Sequence, residues 1–180
     1  MNKWNDFRLL FWQWVRIFVK QAARPLGPNA IAIESRLYAK HFDGDGKLIK
    51  DYGLISTKVV TTAFVNFLVD NLQAETAEVG DCKFHDSGTG VVAEAISDTD
   101  LGTKVETGRA TGNQGEGASA NIYQTVGTIT YTAGRAITEH GVFTIAAAGT
   151  LVDRSVFSAI NVVNTDQIQF TYELTFPAGG

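Results

Sequence analysis

The chain has 180 residues, 44% hydrophobic and 19% charged, which suits one substantial domain, with or without an appendage, and excludes general disorder. A net charge of −4 and a pI of about 5.3 argue against nucleic acid as the main partner, because phosphate binding needs a concentrated basic surface. The single cysteine, Cys82, excludes an intrachain disulfide and the cysteine-rich zinc frameworks, and its sequence neighbours predict a buried, inert thiol in a strand.

The first predicted element is a helix in "WNDFRLLFWQWVRIFVK". Trp4, Phe7, Phe11, Val15 and Phe18 recur at helical spacing, and Leu10, Trp14 and Ile17 widen the stripe. Pro25 and Pro28 end it, since proline removes a donor and disfavours helix just before it. Residues 1–24 carry five basic side chains against Asp6, a charge of +4, which leaves −8 for the remainder. We therefore expect a helical arm over 1–28 and an acidic body over 29–180. Gln13 and Arg16 interrupt the apolar run, which is too short for a membrane span of about 20 residues and lacks a small-residue cleavage site after it. An interfacial membrane helix would suit the aromatic face and basic residues. Docking on protein is the favoured expectation, with no membrane partner. The anchors would be Trp4, Phe7, Phe11, Trp12, Trp14 and Phe18, the residue types that dominate interface energetics.

Residues 30–42 alternate as a strand, and "DGDGK" links them to a second run, "LIKDYGLIS", which reads as a hairpin. Asp43, Asp45 and Gly46 echo a calcium loop. Its first and twelfth positions would be His41 and Tyr52, so a glycine turn is the better reading. His41 itself is expected at the surface. A second helix is expected over 58–73, with Val60, Phe64, Phe67, Leu68 and Leu72 on one face and Thr57 or Thr61 as cap.

From residue 79 onward the pattern is β. "VGDCKFH" is a short strand, and residues 86–120 hold long loops with weak strands such as "TKVETGR". Four stronger strands follow: "ANIYQTVGTITYTA", "AITEHGVFTIA", "TLVDRSVFSAI" and "DQIQFTYELTF". Their spacing predicts a mainly β fold, an antiparallel sandwich or jelly-roll-like barrel, with the two helices added. No internal repeat of fixed period is present.

The apparent chemistry gathers in "FHDSGTG". His85, Asp86 and Ser87 are the residue types of a hydrolase triad. Adjacent strand residues alternate in direction, however, so Asp86 must point away from the other two. No G-x-S-x-G elbow is present. A second constellation joins His85 and Asp86 to Glu139 and His140, an inventory that suits zinc or manganese if the two strands are neighbours. The i, i+1 spacing again splits each pair between faces. We therefore expect no metal, no cofactor and no enzymatic activity. "VDRS" reads as an Asp153–Arg154 surface pair of little weight, and the glycine-rich stretches match no phosphate-binding motif.

Taken in order, "HDSGTG", "EGASANIY", "ITYTA", "AITEHGVF", "LVDRSVFSAINVV" and "DQIQFTYELTFPAGG" resemble a group of tailed-bacteriophage virion proteins, the head decoration or cement proteins. The resemblance covers roughly residues 55–180 and leaves out the amino-terminal helix. It implies a β-rich body on the outer surface of the phage head, with the major capsid protein as partner and a homo-oligomer, trimer or dimer, as the unit. It offers no catalytic residues to carry over. Assembly in the bacterial cytoplasm fits a chain without disulfides. The alternative expectation is a tail or fibre component, a receptor- or carbohydrate-binding module of the virion.

Overall fold

A computed structural model describes residues 33–57, 59–72, 82–105 and 108–176 of the chain. Ile33–Phe176 forms one compact unit. The expected amino-terminal helix, with Trp4, Phe7, Phe11, Trp12, Trp14 and Phe18, lies outside the described residues, as does the expected boundary at residue 28.

The unit is mainly β, as the strand spacing predicted. It comprises β1 (Glu34–Phe42), β2 (Leu48–Ser56), β3 (Val59–Val60), helix α1 (Thr62–Leu72), β4 (Phe84–Gly88), β5 (Ala110–Thr111), β6 (Asn113–Glu116), β7 (Ile122–Thr130), β8 (Arg135–Phe143), β9 (Leu151–Val162) and β10 (Gln167–Thr175). Two five-stranded sheets form, in the orders β2-β1-β10-β7-β6 and β3-β9-β8-β4-β5. Every pairing between these strands is antiparallel. The chain passes from one sheet to the other after β2, β5, β7 and β9.

The core lies between the sheets, because alternation gives each strand one apolar face. In β10, Ile168, Phe170, Tyr172 and Leu174 point inward, as their spacing predicted, and join Leu37 and Ala39 of β1. Ile137, Val142, Val152 and Ile160 face them from the second sheet. A smaller cluster of Leu101, Phe143 and Leu151, with Phe84 against it, sits on that sheet's outer side. The loop over residues 89–105 supplies Leu101 and so covers a face that most sandwiches leave to water. That cover makes the end of β8 and the start of β9 buried without alternation.

The β1–β2 turn is the expected glycine turn: the Asp43 carboxylate accepts the amides of Asp45 at 3.1 Å and Lys47 at 2.8 Å. The second helix begins at Thr62 rather than at the expected residue 58. Val59 and Val60, assigned to it from periodicity, instead pair with Arg154 and Asp153 of β9. Both are β-branched and gain more from sheet pairing than from a helix. Thr61 then caps α1, its Oγ1 accepting the Phe64 amide at 3.1 Å, and its hydroxyl donates to the Leu151 carbonyl. Phe64 and Phe67 reach the core from this helix.

Two further expectations are corrected. Cys82 precedes β4 rather than lying within a strand, is half-buried and has φ 63°. Among its described residues, "TKVETGR" yields an isolated bridge from Lys104 to Gly88 rather than a strand.

Thr61 joins the start of α1 to β9, so Thr61→Ala should destabilise the fold by about 1–2 kcal/mol, the usual range for a lost cap. Thr61→Ser should recover most of that loss. Urea denaturation of the three proteins measures it.

Candidate functional site

Strands β4 and β8 are neighbours, so the residues of "FHDSG" and "TEHGVF" do meet. Their register pairs His85 with Val142, Asp86 with Gly141, Ser87 with His140 and Gly88 with Glu139. Directly opposed residues share a face. His85, Ser87 and His140 therefore point into the sandwich, whereas Asp86 and Glu139 point outward beneath the 89–105 loop. The four candidate ligands divide into two sites, two imidazoles on one face and two carboxylates on the other. Among the described residues, no group of three or more His, Cys, Asp and Glu is placed to share a metal ion.

On the inner face, His85 Nδ1 lies 3.0 Å from His140 Nε2, and His85 Nε2 lies 3.1 Å from Thr125 Oγ1. His140 Nδ1 is buried without a partner. Had His85 Nδ1 donated, that atom would be a buried N–H with no acceptor. Donation from His140 Nε2 to His85 Nδ1, and from His85 Nε2 to Thr125, leaves only a bare lone pair, the cheaper defect. The network thus assigns both rings as neutral Nε2–H tautomers. Burial holds the His85 ring down at about 3, and burial together with neighbouring His85 holds His140 well below its ordinary value. Phe170 closes the His140 ring, with centroids 4.3 Å apart. Ser87 Oγ is engaged with the Tyr131 hydroxyl at 3.0 Å. His85, Asp86 and Ser87 therefore do not converge on one point.

The outer face holds the denser network. Glu139 is fully buried. Its Oε1 accepts the amides of Gly90 at 2.9 Å and Thr103 at 2.6 Å. Its Oε2 accepts the Gly102 amide at 2.9 Å and two donors of Arg154, Nε at 2.9 Å and Nη2 at 2.7 Å. Burial alone would raise the Glu139 carboxyl, but the amides of Thr103, Gly102 and Gly90 with the Arg154 guanidinium outweigh it and hold the group below the ordinary carboxylate range. Arg154 continues outward, with Nη1 on Asp98 at 2.9 Å and Nη2 on the Val92 carbonyl at 3.1 Å. One buried carboxylate and one guanidinium thus hold both ends and the middle of the 89–105 loop.

The glycines of "DSGTG" follow from this geometry. A Cβ on Gly90 would lie 2.4 Å from Glu139 Oε1, and one on Gly88 would lie 2.2 Å from the Thr103 carbonyl. They make room for the carboxylate and the loop rather than for a nucleophile. Asp86 lies under the same loop, within 3.8 Å of Lys104 and 3.9 Å of Arg109, and accepts the Ser87 amide at 2.9 Å. Burial raises its carboxyl against the opposing pull of that amide and of both cations.

Two expectations about polar residues fail here. Asp153 and Arg154 are not a surface pair: both are buried, and strand alternation sends them to opposite faces. Asp153 lies inside, bonded to Ser155 Oγ at 3.0 Å. Burial pushes its carboxyl up to about 7, with Glu94 adding to the rise, against the pull of the Ser35, Ser155 and Tyr172 hydroxyls. His41 is not a surface residue either. It is buried and meets Asp166 at 2.7 Å, which ties the end of β1 to the turn before β10.

Comparison of the chain with protein-family models, with curated proteins and with solved structures finds no match.

Replacing Arg154 by Met keeps its volume but leaves the Glu139 charge buried without a counterion. Such a break should cost about 3–5 kcal/mol. Hydrogen exchange should accelerate most at the amides of Gly90, Gly102 and Thr103.

The buried rings and the buried acid act oppositely on acid stability. Near pH 5 the unfolded chain holds a proton on each of His85 and His140 that the folded chain lacks. The folded chain holds one on Asp153 that the unfolded chain lacks. Across these three groups the net difference near pH 5 favours the unfolded state by about one proton, so stability should fall as the pH drops below about 6.5, the slope growing to about 1.4 kcal/mol per pH unit near pH 5. Asp153→Asn removes the offset, and the slope near pH 5 should rise to about 2.7 kcal/mol per unit. Urea denaturation across that range measures both slopes.

Proposed function

We propose that the chain is a non-enzymatic virion structural protein that binds the outer surface of a phage head and cements neighbouring capsid subunits. The virion role is supported by the strings that resemble decoration proteins, and its non-enzymatic part by the saturation of Glu139. The carboxylate best placed for chemistry accepts five donors and serves to brace a loop. A carboxylate offers about four lone-pair sites, so none remains for a metal or a substrate proton.

The strings that resemble decoration proteins supply β4 with its turn and most of β7–β10, the frame of the sandwich. The four passages between sheets suit a jelly-roll-like wrapping, which is part of the proposal. A braced sandwich is a suitable body for a cement protein, because a rigid module loses little conformational freedom when it bridges subunits, and lattice symmetry multiplies each modest contact. In this reading the working unit is a homo-oligomer, a trimer in preference to a dimer. Its partner is the major capsid protein, and it reaches the head after synthesis in the bacterial cytoplasm. The aromatic side chains of residues 4–18 would serve as interface anchors.

Cryo-electron microscopy of particles carrying the chain should place it at icosahedrally repeated positions on the outside of the head. Density confined to the tail or fibres would overturn the head assignment and favour a receptor- or carbohydrate-binding role.

A further inference from the structure

Residues 89–104 cross the outer side of the second sheet as a strap with little apolar hold of its own. Leu101 is its one buried side chain, whereas Val91, Val92 and Ile96 are exposed. Val105, which follows, packs against the main core and marks one fixed end. Gly88 of β4 marks the other. The main core itself takes no side chain from residues 89–104.

What keeps the strap down is polar and converges on two side chains. The Gly90 and Thr103 amides share Glu139 Oε1, the Gly102 amide takes Oε2, and Arg154 reaches Asp98 and the Val92 carbonyl. The ends of the strap also bond each other, the Thr89 amide donating to the Thr103 carbonyl at 2.9 Å. Its middle meets α1, where the Thr62 amide donates to the Ile96 carbonyl at 2.9 Å. A buried carboxylate that loses one amide keeps its desolvation cost and forfeits a donor, so these contacts are favoured together or not at all. Opening returns Glu139 and Arg154 to water, and the hydration regained offsets much of the attraction lost.

We propose that residues 89–104 open as one unit while the sandwich stays folded, and that the open state uncovers an apolar strip made of Phe84, Phe143 and Leu151. In the closed state Leu101 covers that strip. Gly141 leaves room for it, since a Cβ there would lie 2.9 Å from Leu101 Cδ2. The Glu139–Arg154 pair is the latch of this lid. The chain thereby holds a second outer surface, apolar and presented only when the latch is released. The device belongs to the fold and stands whether or not the virion role holds.

Native-state hydrogen exchange of the full chain, followed by NMR at low urea concentrations, tests it. The amides of Thr62, Thr89, Gly90, Gly102 and Thr103 should share one opening equilibrium with a weak urea dependence. They should open more often than those of Phe170 and Tyr172 in β10, which is paired on both sides. Ile160→Val, in the main core, weakens the sandwich equally whether the strap is open or closed. It should speed Phe170 and Tyr172 by about 2- to 10-fold and leave the strap amides unchanged. Leu101→Ala should speed the strap amides by about 30-fold or more, because the closed state alone uses that side chain. Strap amides that match Phe170 and Tyr172, or that respond to Ile160→Val, would show that the strap opens only in global unfolding. Five unrelated equilibria would show piecemeal fraying, and no response to Leu101→Ala would show that the strip stays covered. Each of these results overturns the inference.

Discussion

The Glu139–Arg154 pair is the contact on which the outer half of the molecule depends. A buried ion pair is a weak source of net stability, because desolvating both charges offsets most of their attraction. What it supplies is position. Five donors converge on one carboxylate, so the loop over 89–105 has one low-energy arrangement against β8 and β9. That arrangement lets Leu101 seal Phe143 and Leu151, turning an outer sheet face into a second small core. It also fixes the backbone at Val92, a residue that is itself exposed. The geometry of the solvent-facing surface is thus decided by charges that solvent does not touch.

The inner seam follows a different rule. His85, His140, Thr125, Ser87, Tyr131, Asp153 and Ser155 place polar atoms between two apolar sheets. Their burial is tolerable because the imidazoles stay neutral and Asp153 holds its proton up to about neutral pH. Each hydrogen bond requires one register between strands. A one-residue slip of β4 against β8 would carry His85 outward and Asp86 inward, exchanging a neutral ring for a charge in the core. The polar seam therefore penalises alternative pairings that an all-apolar interior would accept.

Much of the frame was legible in the chain. The alternation of Ile168, Phe170, Tyr172 and Leu174, the Asp43 turn and the division of His85 from Asp86 all follow from the period of two or from local turn chemistry. These are short-range rules, and sequence neighbours suffice to apply them. Val59 and Val60 were misassigned because a helical period and a two-residue strand are indistinguishable without the partner strand. Arg154 and His41 were misplaced for the same kind of reason. Each looks like an exposed polar residue until a carboxylate distant in sequence, Glu139 or Asp166, comes within bonding distance.

The sequence by itself determined a mainly β body with inward apolar faces, its turns, and the opposite orientation of adjacent polar residues, because backbone geometry alone enforces these. Only the tertiary structure decided what "HDSGTG" is for. Its glycines accommodate Glu139, its histidine meets His140, and the loop that follows is pinned by Arg154. Those roles depend on which strands lie side by side, and strand order is set by long-range packing that no local pattern encodes.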